Sequence, residues 1–481
     1  MAVDRARFLA LAGSSAVALW VPGARAALRL AGRSGAFISR DDLHPPTLDI
    51  VVSQPGTSSG VIVLAPASGS SDLGPLIVDG DGGLVWFRPV RGAHVHDLRV
   101  QQLHGEPVLT WWQGQTESGY GQGDYVVLDG SYRELTRIVA ANGLSGDLHE
   151  CTLTSRGSAL ISAYNAIPYD LSPLGGPSDG SLLEGVIQEI DVDTGKLLFE
   201  WHSTDHVPTD ESYLPYLSTS GPAWDYFHLN SIGVLDDDNL IVSARHTSTV
   251  YKLDRSSGEI VWRIGGKQSD FTMGPGTTFG FQHDARGHAG ELVSIFDDGA
   301  YSAASAIEPA SRAIVLALDT DAMSAELVRA NVQPDGKLAT ALGNVQLLPD
   351  GGMFVGWGTT GALSEFSSAG ELLFHAQLAG GGTTYRAYRE TWSGRGSGRP
   401  ALAAVTVANG VDLYASWNGA TDVAAWRVLG GPAAGELKTL HTVRCTGFET
   451  RINVPRPPAH VNVAALDADG RELHRSLALR I

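Results

Sequence analysis

Four histidines, His96, His149, His228 and His283, open similar stretches of this chain: HDLRVQQLHGEPVLTWW, HECTLTSRGSALISAYN, HLNSIGVLDDDNLIVSARH and HDARGHAGELVSIF. A fifth such stretch, GNVQLLPDGGMFVGWG, starts at Gly343. Unprotonated imidazole is a good nucleophile near neutral pH, and clustered histidines discourage one another's protonation. Asn230 follows His228 by two residues, and Arg245 with His246 closes the strand that returns from the hairpin begun at His228. Arginine offers a permanent, forked cation that fits a tetrahedral oxyanion. A nucleophilic histidine beside imidazole and guanidinium donors suits transfer of a sulfuryl or phosphoryl group, by positioning and charge stabilisation. A single repeat histidine more often only bonds its neighbouring repeat. Several at one phase, with an arginine among them, favour a site.

These residues need a scaffold that brings equivalent positions together. Between the histidine-led stretches a second phrase recurs six times: an apolar run, an Asp, a Gly-containing turn and another apolar run, at 76–87, 125–139, 186–201, 250–264, 313–328 and 362–374. The copies lie roughly 50 to 65 residues apart, the spacing of propeller blades. The pattern predicts an all-β chain: a six-bladed β-propeller over 27–392, each blade with the histidine-led hairpin inside and the Asp/Gly hairpin outside. Segments 165–183, 211–224 and 267–281 are expected as loops walling the central cavity. SGRGSGRP at 393–400 has the composition of a flexible linker. Residues 401–481, with short alternating runs and Trp417 and Trp426, are expected to form a small fibronectin type III-like β-sandwich without chemistry of its own.

Composition narrows the partners. Fifty-eight glycines punctuate β-branched and aromatic runs, and the formal net charge is -18. Such acidity argues against nucleic acid or anionic lipid. Residues 1–26 read as a secretion signal, with Arg5 and Arg7, an apolar stretch at 8–21 that is short for a membrane span, and an A-x-A site at 24–26. The mature chain is therefore expected to be exported, without a membrane span. Cys151 and Cys445 fall in different expected domains and are expected to stay unpaired.

Common signatures are missing or misplaced. No G-K-[ST] occurs, the two G-x-S-x-G matches lie on no strand-to-helix turn, and neither cysteine belongs to a C-x-x-C pair. His94 and His96 share one strand face and could hold a metal, but an isolated H-x-H is a weak basis. No metal and no cofactor is assigned.

Seven motifs in order resemble the arylsulfotransferase family: DLHE at 147–150, HLNSI at 228–232, SARHTSTVYKLD at 243–254, FQHDA at 281–285, IFDDG at 295–299, SRAIVLALD at 311–319 and GNVQLLPDGG at 343–352. The resemblance spans most of residues 40–390 and is greater to the fungal and actinobacterial branch. It implies a six-bladed propeller and ping-pong transfer of a sulfuryl group from a phenolic sulfate donor to a phenol acceptor. It also implies His283 as the histidine that becomes sulfated, His228 with Asn230 as the H-x-N pair, Arg245 as the active-site arginine, and His149 as acid/base or oxyanion donor. His246 and Asn344 join the expected substrate-binding set. The closely spaced cysteine pair and N-terminal dimerisation domain of enterobacterial members have no counterpart, which leaves the oligomeric state open. A secreted propeller that binds glycan or protein without catalysis is the alternative.

Overall fold

The computed structural model describes residues 36–69, 72–217 and 221–481. The expected export segment at 1–26 lies outside them. Strands dominate, and they group into antiparallel four-stranded units. From the inside outward, one unit runs His94–Leu103, Glu106–Glu117, Tyr120–Leu128 and Glu134–Ile138. The next three begin at the inner strands Gly146–Leu153, Leu229–Val234 and His283–His288, and a further one at Asn344–Leu347. The remaining unit joins both ends of this region. Its innermost strand is Thr384–Glu390, paired with Val61–Pro66, which continues to Leu76–Val78 and Leu84–Phe87.

The innermost strands pack on one another in chain order, and Thr384–Glu390 packs on both Asn344–Leu347 and His94–Leu103. The ring of neighbours therefore returns to its start among the described residues. Side-chain alternation explains why. On Val61–Pro66, Ile62 and Leu64 face a cluster with Leu348, Phe354 and Leu363, whereas Val63 faces one with Leu98, Leu109 and Trp111. Both faces of such a sheet are buried, each against a different neighbour. A fully buried Ile or Leu contributes about 1.5–3 kcal/mol relative to exposure.

Two expectations change. Segment 165–183 is strand at both ends: Ser158–Tyr169 pairs with Gly180–Asp191 through the register Asn165↔Glu184 to Tyr169↔Gly180, and only residues 170–179 between them are loop and 3-10 turn. Alternating apolar residues such as Ile167, Leu182 and Leu183 give that hairpin a face to bury, which outweighs its Pro and Gly content. Segment 393–400, soft by composition, is held by Arg395 N–H to Gly130 O at 2.8 Å and Ser397 N–H to Asn418 O at 2.8 Å. Residues 48–53 form a fifth strand on Leu372–Leu378.

Residues 401–480 form two sheets around Leu413, Trp426, Val428, Ile452 and Val463. Asn418 ties them to the unit beside Val61–Pro66: its amide accepts from Phe87 N–H at 3.1 Å and donates to Phe87 O at 2.9 Å. Cys151 and Cys445 are both free.

Candidate active site

The inner strands carry a repeated irregularity where the chemistry sits. Their pairing slips between His96 and Arg99, between Leu229 and Ser231, and between His283 and Arg286. At these bulges Asp97, His228 and Asp284 take positive φ of 55°, 55° and 52°. A bulge re-aims consecutive side chains. His96, His149 and His283 thus line a cavity, while the acids that follow them, Asp97, Glu150 and Asp284, turn into a buried cluster with Arg99, Arg286 and Arg386. Glu150 bonds Arg99 at 2.6 Å and Arg286 at 2.5 Å. Removing one partner of such a buried pair costs about 3–5 kcal/mol.

Thr384–Glu390 supplies the hub. Tyr385 Oη donates to His149 O at 3.1 Å and to Asn230 O at 3.0 Å. Arg386, fully buried, donates to Asp97 Oδ2 at 3.0 Å and to Asn230 O at 2.9 Å. The Tyr385 ring lies 5.5 Å from that of His149 and 6.4 Å from those of His96 and His283.

Above the hub is a cavity of about 920 Å³. His94, His96, His149, His228, His246, His283 and Arg245 all line it. The return strand performs as expected: Arg245 N–H donates to His228 O at 2.9 Å. Of the three expected loop walls, 211–224 contributes Leu214, Pro215, Leu217 and Trp224. The other two do not line the cavity. Their place is taken by Tyr301, by Thr340 to Leu342 and by the hairpin tip at 117–119. A Cβ on Gly119, at φ +94°, would lie 3.7 Å from His228 Cε1, so this tip sits directly over the ring.

Three of the histidines are backed by carboxylates. His283 Nδ1 is 2.7 Å from Asp298 Oδ2, and Leu342 N–H donates to His283 Nε2 at 3.3 Å. The amide can only donate, so the lone pair of His283 is on Nε2 and its proton on Nδ1. His149 Nδ1 lies 2.6 Å from Asp147 Oδ2, and His228 Nδ1 lies 2.5 Å from Asp225 Oδ2. The rings of His149 and His228 are 4.9 Å apart.

Burial first, then Arg245 and the neighbouring histidines, holds His283 well below its ordinary pKa. Burial, His149 and Arg245 do the same to His228. Burial pushes Asp298 well up despite the opposing Arg245 charge. At Asp147 burial also raises the carboxyl, but the His149 ring and donated N–H bonds outweigh it and hold it low.

Arg245 is a buried cation with neutral partners. It donates to His246 Nε2 at 3.1 Å and Thr340 O at 2.6 Å, and its guanidinium lies 4.7 Å from the Tyr301 ring. Among the described residues no ion pair joins it to a carboxylate, and burial pulls its pKa down. His246 Nδ1 donates to Asp225 O at 2.7 Å, which fixes its lone pair toward Arg245. A buried cation with no directly bonded carboxylate, only the nearby charges of Asp298 and Asp225, leaves room for an anionic ligand.

Asn230 and Asn344 are placed differently from the sequence expectation. Both are fully buried and neither lines the cavity. Asn230 Nδ2 donates to Gln282 O at 2.8 Å. Asn344 donates to Ala387 O at 2.9 Å and accepts from Ala387 N–H at 2.9 Å. The Asn344 amide is used on both sides by Ala387, whereas Asn230 joins its neighbouring strand through Nδ2 alone and its Oδ1 has no partner among the described residues.

Asp225, His228 and His246 bring ligand atoms within 4.8 Å of one another. They suit a metal poorly. His228 Nδ1 is engaged by Asp225, His246 Nδ1 donates to a carbonyl, and the remaining His246 Nε2 faces the Arg245 cation.

The model of the family described as Arylsulfotransferase (ASST) matches residues 99–379. The chain belongs to the arylsulfotransferase family. That match takes in His149, His228, Arg245, His246 and His283 together with the three carboxylates behind them. An arylsulfotransferase is a sulfotransferase acting on small molecules, and this arylsulfotransferase chain carries no helix long and apolar enough to cross a membrane among its described residues. No curated protein matches. Solved structures resemble it only distantly. A protein of unknown function from Bacteroides caccae is 15% identical, covering 69% of this chain and 100% of its own, with a TM-score of 0.41. The periplasmic gluconolactonase of Pseudomonas aeruginosa is 14% identical, covering 83% and 100%, with a TM-score of 0.38. Virginiamycin B lyase from Staphylococcus aureus is 11% identical, covering 69% and 88%, with a TM-score of 0.34.

Proposed function

We propose that this chain is an exported arylsulfate sulfotransferase of the fungal and actinobacterial branch. It moves a sulfuryl group from a phenolic sulfate ester to a phenol by a ping-pong route through a sulfohistidine at His283. The ring of units is read as a six-bladed propeller, and residues 401–481 as a fibronectin type III-like sandwich. The observation that carries the reading is the buried Arg245 cation in one cavity with His283, whose Nε2 lone pair is set by Asp298 and Leu342.

The donor's sulfate, an anion, settles against Arg245. His149 and His228, whose Nδ1 atoms are held by Asp147 and Asp225, turn Nε2 toward the sulfate oxygens. The Nε2 lone pair of His283 attacks sulfur. A nitrogen–sulfur bond forms, the sulfur–oxygen ester bond breaks, and its electron pair leaves on the phenolate. Positive charge arriving on the imidazole is offset by moving the Nδ1 proton toward Asp298. A second phenol then attacks the sulfur and restores the free histidine.

The test is release of p-nitrophenolate from p-nitrophenyl sulfate, with and without added phenol, beside His283→Ala. Release that depends on phenol and vanishes in the variant is expected. Release without phenol would mean a hydrolase, and none across several aryl sulfates would favour a binding module.

A further inference from the structure

We propose that His96 is the acid–base group for the phenolic oxygen, on the reading that His283 is the nucleophile. The first observation is an idle imidazole. His96 is 8% exposed and lines the cavity, yet among the described residues its Nδ1 is buried without a partner. Its Nδ1 is sealed away without a partner, which leaves Nε2 as the nitrogen facing the cavity. His149, His228 and His283 each answer to a carboxylate, and His246 is committed to Arg245. His96 is held only by ring contacts, with Trp112 at 5.6 Å and Tyr385 at 6.4 Å. A buried polar group left unsatisfied costs roughly 1–3 kcal/mol, a cost a bound hydroxyl would remove.

The second observation is position. Group transfer of this kind keeps the attacking and leaving atoms roughly in line across the central atom. The phenolic oxygen must therefore lie on the far side of sulfur from His283. In the ring of inner strands, His94–Leu103 and His283–His288 are separated by two strands in either direction. His96 and His283 consequently face each other across the cavity. His149 and His228 stand on the intervening strands, to the side of that line, where the sulfuryl oxygens project.

The proton count closes. The acceptor's O–H gives its proton to His96 Nε2 as its oxygen bonds sulfur and the bond from sulfur to His283 Nε2 breaks. His96 then returns the proton to solvent. In the first half-reaction the ring takes a proton from solvent as the donor anion binds and hands it to the departing oxygen. Burial and the nearby His149 hold His96 to about 3, so the protonated ring is a strong acid and the resting ring is a free base.

Rapid-mixing kinetics on His96→Ala and His96→Gln test this, with p-nitrophenyl sulfate as donor and acceptors from p-nitrophenol-like acidity to unsubstituted phenol. The loss in kcat/KM is expected to grow with the acceptor's pKa, to about 10²–10⁴-fold for phenol, and to be least for the most acidic acceptors. The first-step burst should slow in the same graded way along a series of aryl sulfates. A loss equal for every acceptor, or none in either variant, would overturn the assignment. Should His96→Ala not fold, His96→Gln, which keeps size and a polar end, decides by the same gradient. A wild-type enzyme without any burst would instead remove the sulfohistidine reading on which this rests.

Discussion

Asp298 accepts the Nδ1–H of His283 at 2.7 Å, while its neighbour Asp297 turns the other way and pairs with Arg312 at 2.6 Å. Adjacent strand residues point to opposite faces, so one aspartate orients His283 and the other closes an outer ion pair. Asp298→Asn should free His283 to flip and exchange tautomers. The rate of sulfohistidine formation is expected to fall on the order of 10²-fold or more, with the melting temperature little lower. A burst rate within a few-fold of wild type would show that Asp298 is merely buried beside the ring.

Arg245 needs its fork, because one arm holds His246, the other Thr340, and the plane rests on Tyr301. Arg245→Lys keeps the charge and loses that geometry. Its kcat/KM for aryl sulfates should drop about 10²–10³-fold, nearly as far as in Arg245→Ala. Steady-state kinetics on both variants decide, and near-complete rescue by lysine would contradict the role given to the planar group.

Asn344→Ala separates bracing from substrate binding. It leaves both the N–H and the carbonyl of Ala387 without their partner, a loss of about 2 kcal/mol or more. Chemical denaturation should register that loss while KM for the donor stays near its wild-type value. A KM raised tenfold with unchanged stability would return Asn344 to the substrate.

Acid should destabilise the fold through its cavity. Burial holds His96 and His246 to about 3 and His228 and His283 well below 6.5. In the unfolded chain these rings take up protons that the folded chain refuses. Their contribution is therefore complete above the unfolded pKa near 6.5 and shrinks as pH falls below it. Acids raised by burial act in the opposite sense, Asp225 and Asp298 in the cavity and Asp79, Asp97, Glu211, Asp297 and Glu390 elsewhere, so the histidine contribution is read as a difference between variants. Calorimetry should show wild type losing melting temperature relative to His96→Ala from about pH 7 to about pH 5. A flat difference would mean that the His96 ring is charged in the fold.

Much of this arrangement could be read in the chain. The Asp/Gly phrase marked the outer hairpins because its turn chemistry and apolar flanks are local. The histidines stood out because they recur at one phase of the repeat. Their carboxylates did not: Asp147 precedes His149 by two residues, Asp225 precedes His228 by three, and Asp298 follows His283 by fifteen. Pairing across bulges and between strands leaves no common spacing to notice. Asn230 and Asn344 show a related ambiguity, since an amide at the cavity phase can also tie two strands together. His96 was visible as one of the repeat histidines and as half of a metal pair with His94, but its lack of partners is a property of packing alone.

Tyr385 and Arg386 belong to the strand that the ribosome delivers after every catalytic side chain in the cavity has been made. Until that strand docks beside Val61–Pro66, the carbonyls of His149 and Asn230 lack the groups that hold them, and the acids of the hub have Arg99 and Arg286 but not Arg386. A fragment that stops before residue 384 would keep the histidines and Arg245 of the cavity and lose the strand that braces the carbonyls beneath them.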